Sequence, residues 1–149
     1  MNRKVLLVVT CLSLLALLVA CQSTEPANDG VKLNINPIYK NGKLVVEIET
    51  DLPNETRAVL TIVSDENEYF AQDELSISGQ KTSSNEFSVN GKDLPKGNYN
   101  ISLIIPVTEV QPESVQEIVG ENFKNIKSEH TSDLGGYIIL ENNETFIID

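Results

Sequence analysis

Two cysteines and one histidine are the only thiols and imidazole in this chain of 149 residues, so reactive chemistry has few places to reside. Cys21 ends the apolar stretch Leu18-Val19-Ala20-Cys21, and the polar run Gln22-Ser23-Thr24-Glu25 follows at once. Sulfur is the best nucleophile among side chains at neutral pH, so a thiol at such a border is open to covalent modification. His130 lies in Glu129-His130-Thr131-Ser132-Asp133, which contains a base, hydroxyl nucleophiles and carboxylates. Five neighbours in one polar loop do not converge as a triad, whose members come from separate elements. One histidine with two carboxylates also lacks the ligand spacing of a metal site. Asp65-Glu66-Asn67-Glu68 offers oxygen ligands but not the spaced Asp/Asn positions and central glycine of a calcium loop. Glu113, Glu117 and Glu121 recur four residues apart, a like-charge stripe that reads as a solvated helix face.

The elements that would carry these residues are set by length, charge and hydrophobic period. The chain has room for one domain and a short leader. Its formal net charge is −11, and without Arg3 and Lys4 the remainder carries nine basic against 22 acidic residues, a charge of −13. Such a balance argues against nucleic acid as a partner, because a phosphate backbone demands a basic face. Arg3 and Lys4 precede Val5 to Ala20, 16 residues interrupted only by Thr10, Cys11 and Ser13. This is the layout of an export signal, and it is short of the roughly 20 apolar residues that a spanning helix needs.

Leu18-Val19-Ala20-Cys21 resembles the lipobox of bacterial lipoproteins: a hydrophobic residue, a tolerant position, a small residue, then cysteine. The resemblance implies a leader over 1–20, cleavage between Ala20 and Cys21, and lipid attachment through a thioether at Cys21. Two acyl chains give stable anchoring where one is marginal, at about 0.8 kcal/mol for each buried CH₂. Cys11 would leave with the leader, so the mature chain would own one alkylated cysteine and no disulfide. Residues 21–30 then form the lipidated cysteine and a flexible tether, whose nine residues after Cys21 reach at most about 30 Å. The bilayer is the partner this implies, with the domain on the extracytoplasmic side of a bacterial cell membrane. Gln22 in place of aspartate would permit transfer to an outer membrane in a Gram-negative host.

From residue 31 to 149 the period is two, the signature of half-buried strands. Val31 to Asn36 alternates without a miss; Leu44, Val46 and Ile48 continue it, then Ala58, Leu60 and Ile62, Leu75 and Ile77, Phe87 and Val89, and Tyr99, Ile101, Leu103 and Ile105. Asn41-Gly42 is a hairpin signal, and Asp51 to Glu55 and Ser78-Gly79 are further breaks. The pattern predicts an all-β antiparallel sandwich.

Leu94-Pro95-Lys96-Gly97-Asn98-Tyr99-Asn100-Ile101 resembles the Leu-x-x-Gly-x-Tyr corner of immunoglobulin-like and fibronectin-like domains. The resemblance implies an immunoglobulin-like sandwich in which the Tyr99 hydroxyl bonds back across the loop. The disulfide and core tryptophan of antibody domains are absent, with one mature cysteine and no Trp.

Pro106 to Gly136 departs from the alternation. Pro112 and Glu113 suit a first helical turn, with Val115, Ile118 and Val119 on one face and Gly120 as the stop, which predicts one short helix in a late insertion. Asn142-Asn143 between apolar runs predicts a tight closing hairpin, while the run Tyr137 to Leu140 also fits a central strand covered on both faces. The expected function is non-enzymatic, with no cofactor: a surface lipoprotein that binds an envelope protein partner through the 106–136 segment, since long irregular segments often carry function. The alternative is a cation- or small-molecule-binding lipoprotein that uses its acidic loops.

Overall fold

The computed structural model describes residues 30–149. The expected leader, the lipobox with Ala20 and Cys21, and the tether up to residue 29 lie outside the described residues. Alternation yields strands β1 (Leu33–Lys40), β2 (Lys43–Thr50), β3 (Arg57–Ser64), β4 (Tyr69–Ser76), β5 (Lys81–Ser83), β6 (Gly97–Ile105), β7 (Thr131–Asp133) and β8 (Ile138–Ile148), with one helix, α1 (Glu113–Val119). They form two antiparallel sheets, β1-β2-β5 and β4-β3-β6-β8-β7. A first, second and fifth strand facing a third, sixth and last is the immunoglobulin-like order, here with β7 added at one edge. The fold is the all-β sandwich that the alternation predicts.

The core is the set of inward positions that the period selects. Leu44, Val46 and Ile48 of β2, Leu60 and Ile62 of β3, and Tyr99, Ile101, Leu103 and Ile105 of β6 are buried in one cluster. At about 25 cal/mol per Å² of apolar surface removed from water, these few strands supply most of the driving force. On the open side of the sandwich β1 lies against β8, and the Asn142 amide donates to the Leu33 carbonyl at 2.7 Å.

Chain direction defines two ends. β1 runs from the entry end, where the Val31 N–H donates to the Lys127 carbonyl at 2.6 Å, to the Asn41-Gly42 hairpin. The Leu94 N–H donates to the Gly42 carbonyl at 2.8 Å, so β6 starts at this distal end and runs back, and β8 returns beside it. The 65–68 and 88–96 loops are therefore distal, and the segment between β6 and β8 lies at the entry end.

Asn41 and Gly42 have φ of 53° and 77°, the two left-handed residues of a type I′ hairpin, and Lys40 pairs with Lys43 as the motif predicts. A Cβ on Gly42 would also overlap the Asp93 carboxyl. Gly42→Ala is expected to cost roughly 1–2 kcal/mol, read as a fall in the urea midpoint at unchanged slope.

Three expectations are corrected. Asn142-Asn143 is not a turn: β8 passes straight through, pairing Asn142 with Leu103 and Asn143 with Ser102. Nine residues of β6 offer a continuous ladder, and the Asn142 side chain bonds to β1, so pairing overrides the turn preference of asparagine. The hairpin instead falls earlier, at Gly135-Gly136, with φ of 70° and 96° and the Leu134 N–H donating to the Tyr137 carbonyl at 2.8 Å. In α1, Val115 and Val119 are buried but Ile118 is 58% exposed, because a seven-residue helix presents only a narrow i, i+4 stripe to the core. Phe87 and Val89 make only single bridges, to Leu44 and Lys92. The insertion packs against the domain: Val115, Val119 and Phe123 belong to the core cluster and close the entry end of the sandwich.

Candidate functional site

The residues singled out for chemistry are held apart by the strands that carry them. Along β7, Thr131 and Asp133 point to one face and Ser132 to the other. The Ser132 hydroxyl donates to Glu141 Oε1 at 2.7 Å, the Asp133 carboxylate accepts the Gly136 N–H at 2.7 Å, and the Thr131 hydroxyl reaches the Ser128 carbonyl at 3.4 Å. Only Glu129 lies near the imidazole, 3.9 Å from His130 Nε2 and almost wholly solvated. An open cavity of about 370 Å³ beside His130 is lined by Gly30 to Lys32, Asn34 and Glu129, where the chain enters the domain. Neither Thr131 nor Ser132 lines it.

The acidic 65–68 loop has a structural task. Glu66 Oε1 accepts the Asn98 amide at 2.7 Å, and Asn67 Nδ2 donates to Ser64 Oγ at 3.1 Å and to the Lys96 carbonyl at 3.2 Å. The same amide lies 3.5 Å from the Tyr99 hydroxyl, which donates to the Pro95 carbonyl at 2.7 Å. The tyrosine corner implied by the motif is thus present, and the acidic loop buttresses it. Burial raises the pKa of Tyr99 above its ordinary value, and that of Tyr69 beside it. Among the described residues, no three His, Cys, Asp or Glu side chains converge on a point that could hold a metal ion. Glu113, Glu117 and Glu121 are all exposed, as a solvated stripe would be.

A different surface emerges from strand register. On β3 and β6 the even and odd inward positions are buried, so Val59, Thr61 and Val63 share the outer face with Asn98, Asn100, Ser102 and Ile104. Pairing aligns rows across four strands: Gln72, Thr61, Ser102 and Asn143, then Phe70, Val63, Asn100 and Thr145. Those eight positions carry no charge in a chain of net charge −11. Charge returns in the next row, where Glu74 and Glu141 flank Val59 and Ile104. Phe70 is 67% exposed at the edge of the rows, and a shallow depression of about 290 Å³ opens between β6 and β8. The amides and hydroxyls are partly joined in place: Gln72 donates to Thr61 Oγ1 at 3.0 Å and Thr145 to Asn100 Oδ1 at 3.3 Å. An uncharged centre mixing aliphatic, aromatic and amide groups, with carboxylates at its margin, has the make-up of a protein-binding face.

This face has no clustered charge or linear motif to mark it in the sequence. Its one signal is Ala58 to Val63, whose outward Val59 and Val63 are as apolar as its inward residues. No known protein family, curated protein or solved structure matches the chain.

Proposed function

We propose that the chain is a bacterial membrane lipoprotein, anchored through acylated Cys21, whose sandwich acts without catalysis by binding an envelope protein on the outer face of its larger sheet. The anchor rests on the order of basic residues, apolar run, Leu18-Val19-Ala20-Cys21 and polar start. The binding role rests on the uncharged rows across β4, β3, β6 and β8. This moves the contact surface away from 106–136, whose apolar residues support the core. The cation-binding reading gains no support, because Glu66 and Asn67 are spent on the tyrosine corner.

Metabolic labelling with a fatty-acid analogue tests the anchor: label is expected on the native chain and none on Cys21→Ala, and label that survives the substitution rejects it. The face is tested in intact cells with a photo-crosslinking residue at Thr61 or Ser102, against the same residue at Asn90 on a distal turn. One protein adduct from the two face positions alone is expected. Adducts of equal yield from all three positions would dismiss the face. With the adduct identified, Thr61→Arg is expected to weaken its binding by about tenfold or more, since a central charge left unpaired costs upward of 1.4 kcal/mol.

A further inference from the structure

Large apolar side chains that stand exposed on this domain belong either to sheet faces or to the entry end. At the entry end, Leu134 and Tyr137 flank the two-residue Gly135-Gly136 turn at the tip of the β7–β8 hairpin and are 60% and 56% exposed. The Leu134 N–H to Tyr137 carbonyl bond makes them a directly opposed pair, so both side chains project from one face of the tip. No other residue comes within 4 Å of where a side chain on either glycine would begin. The tip is free-standing.

Its position matters more than its composition. β1 and β8 run in the same direction, so the chain segment before β1 and the hairpin before β8 leave the same end of the sandwich. The Val31 N–H is bonded to the Lys127 carbonyl, four residues before β7 begins at Thr131. Only nine residues separate Cys21 from the domain, an extended reach of about 30 Å at most. A domain hung from lipid at Cys21 therefore presents this hairpin to the lipid.

We infer that the Leu134-Gly135-Gly136-Tyr137 tip docks on the bilayer that holds Cys21 and sets the sandwich upright on it; this rests on the anchor reading above. The hydrocarbon core of a bilayer demands that backbone polar groups be satisfied within the protein, whereas the interface above it supplies water and headgroups. The tip meets that demand in part, as suits a contact at the interface: Leu134 N–H bonds to the Tyr137 carbonyl, and Gly136 N–H bonds to the Asp133 carboxylate at 2.7 Å. Leucine and tyrosine are suited to the acyl and headgroup levels respectively. The charge of Asp133 limits the depth, so the contact is interfacial. Two side chains bind a membrane weakly from solution, but a short tether supplies an effective concentration in the millimolar range, at which an association constant of about 10³ M⁻¹ gives half occupancy. The tether converts a marginal contact into an orientation.

The chain contains no tryptophan, so a single introduced indole is an unobstructed reporter. The full chain carrying Tyr137→Trp is expressed in a bacterium, its acylation checked by intact mass, and the lipoprotein reconstituted in phosphatidylcholine vesicles containing brominated acyl chains. Strong quenching is expected at 137, with little at Phe70→Trp on the distal part of the sheet. Adding Leu134→Ser to Tyr137→Trp is expected to lower the quenching at least about twofold, with an unchanged circular dichroism spectrum. Acylated protein with no quenching at 137, or with equal quenching at 137 and 70, overturns the docking and leaves the anchor standing. Protein without acyl mass on Cys21 overturns both.

Discussion

Tyr99→Ala is expected to bring the domain to the edge of unfolding. Its ring is wholly buried between the sheets and meets Tyr69 edge-on, with ring centroids 5.9 Å apart and planes at 72°. Removing a buried aromatic side chain typically costs about 3–5 kcal/mol, out of a total near 5–15 kcal/mol for a domain of this kind. The loss is larger in effect here because the hydroxyl also ties the start of β6 to the Pro95 carbonyl and, through Asn67, to the β3–β4 loop. Tyr99→Phe separates the parts: it keeps the ring and strands the Pro95 carbonyl, for roughly 1–2 kcal/mol, read from the urea midpoint. The same residue sets an alkaline limit. Burial raises the folded-state pKa above the unfolded value near 10, so the stabilisation is complete below that value and is lost as pH rises through the folded one. Above pH of about 10 the wild-type midpoint should fall with rising pH, and Tyr99→Phe should flatten that fall without abolishing it, since Tyr69 is shifted in the same direction. An equally steep fall in the variant would remove Tyr99 as its source.

The second large effect is expected outside the strands. Phe123→Ala should cost as much as a core substitution in β6, about 3–5 kcal/mol, although it lies in the late insertion. Phe123 is buried with Val115 and Val119 in the common core. The backbone there is strained: Asn122 and Phe123 have φ of 50° and 54°, consecutive left-handed conformations without glycine. Each such residue costs on the order of 1–3 kcal/mol and persists only when its surroundings enforce it. The phenyl ring in the core is that enforcement, joined by the Thr108 hydroxyl accepting the Asn122 N–H at 3.1 Å. Ile118→Ala, at an exposed position one turn away, should change the midpoint by less than about 0.5 kcal/mol. Equal effects of the two substitutions on thermal unfolding would show that the insertion does not close the core.

The contrast between those residues marks what a sequence of this kind reveals. β1, β2, β3 and β6 were readable because each buries one face, and a side-chain period of two leaves no other register that hides its leucines and isoleucines. Asn41-Gly42, Pro112 and Gly120 were readable because each fixes a local backbone conformation. β8 was readable as two apolar runs but not as one strand, because asparagine prefers turns locally while the ladder offered by β6 is a long-range partner that no local pattern announces. β5 and β7, at three residues each, are too short to show a period. The anchor proposed at Cys21 rests on a linear signal, which a sequence displays directly. The uncharged face is assembled from four strands, and its rows exist only once register sets Gln72, Thr61, Ser102 and Asn143 side by side.

The place of β8 in the chain also governs when the domain can form. Its eleven residues follow every other strand in the chain, yet they lie beside β6 within the larger sheet and bring Leu140 and Ile148 into the core. Until they arrive, β6 has an open flank, and the entry end of the core lacks Leu140. A chain emerging with its N-terminus first therefore cannot complete its larger sheet until β8 has followed all the other strands. Folding then proceeds at the slow, millisecond-to-second pace of distant strand pairing. The order of synthesis and the order of assembly are coupled through a single late strand.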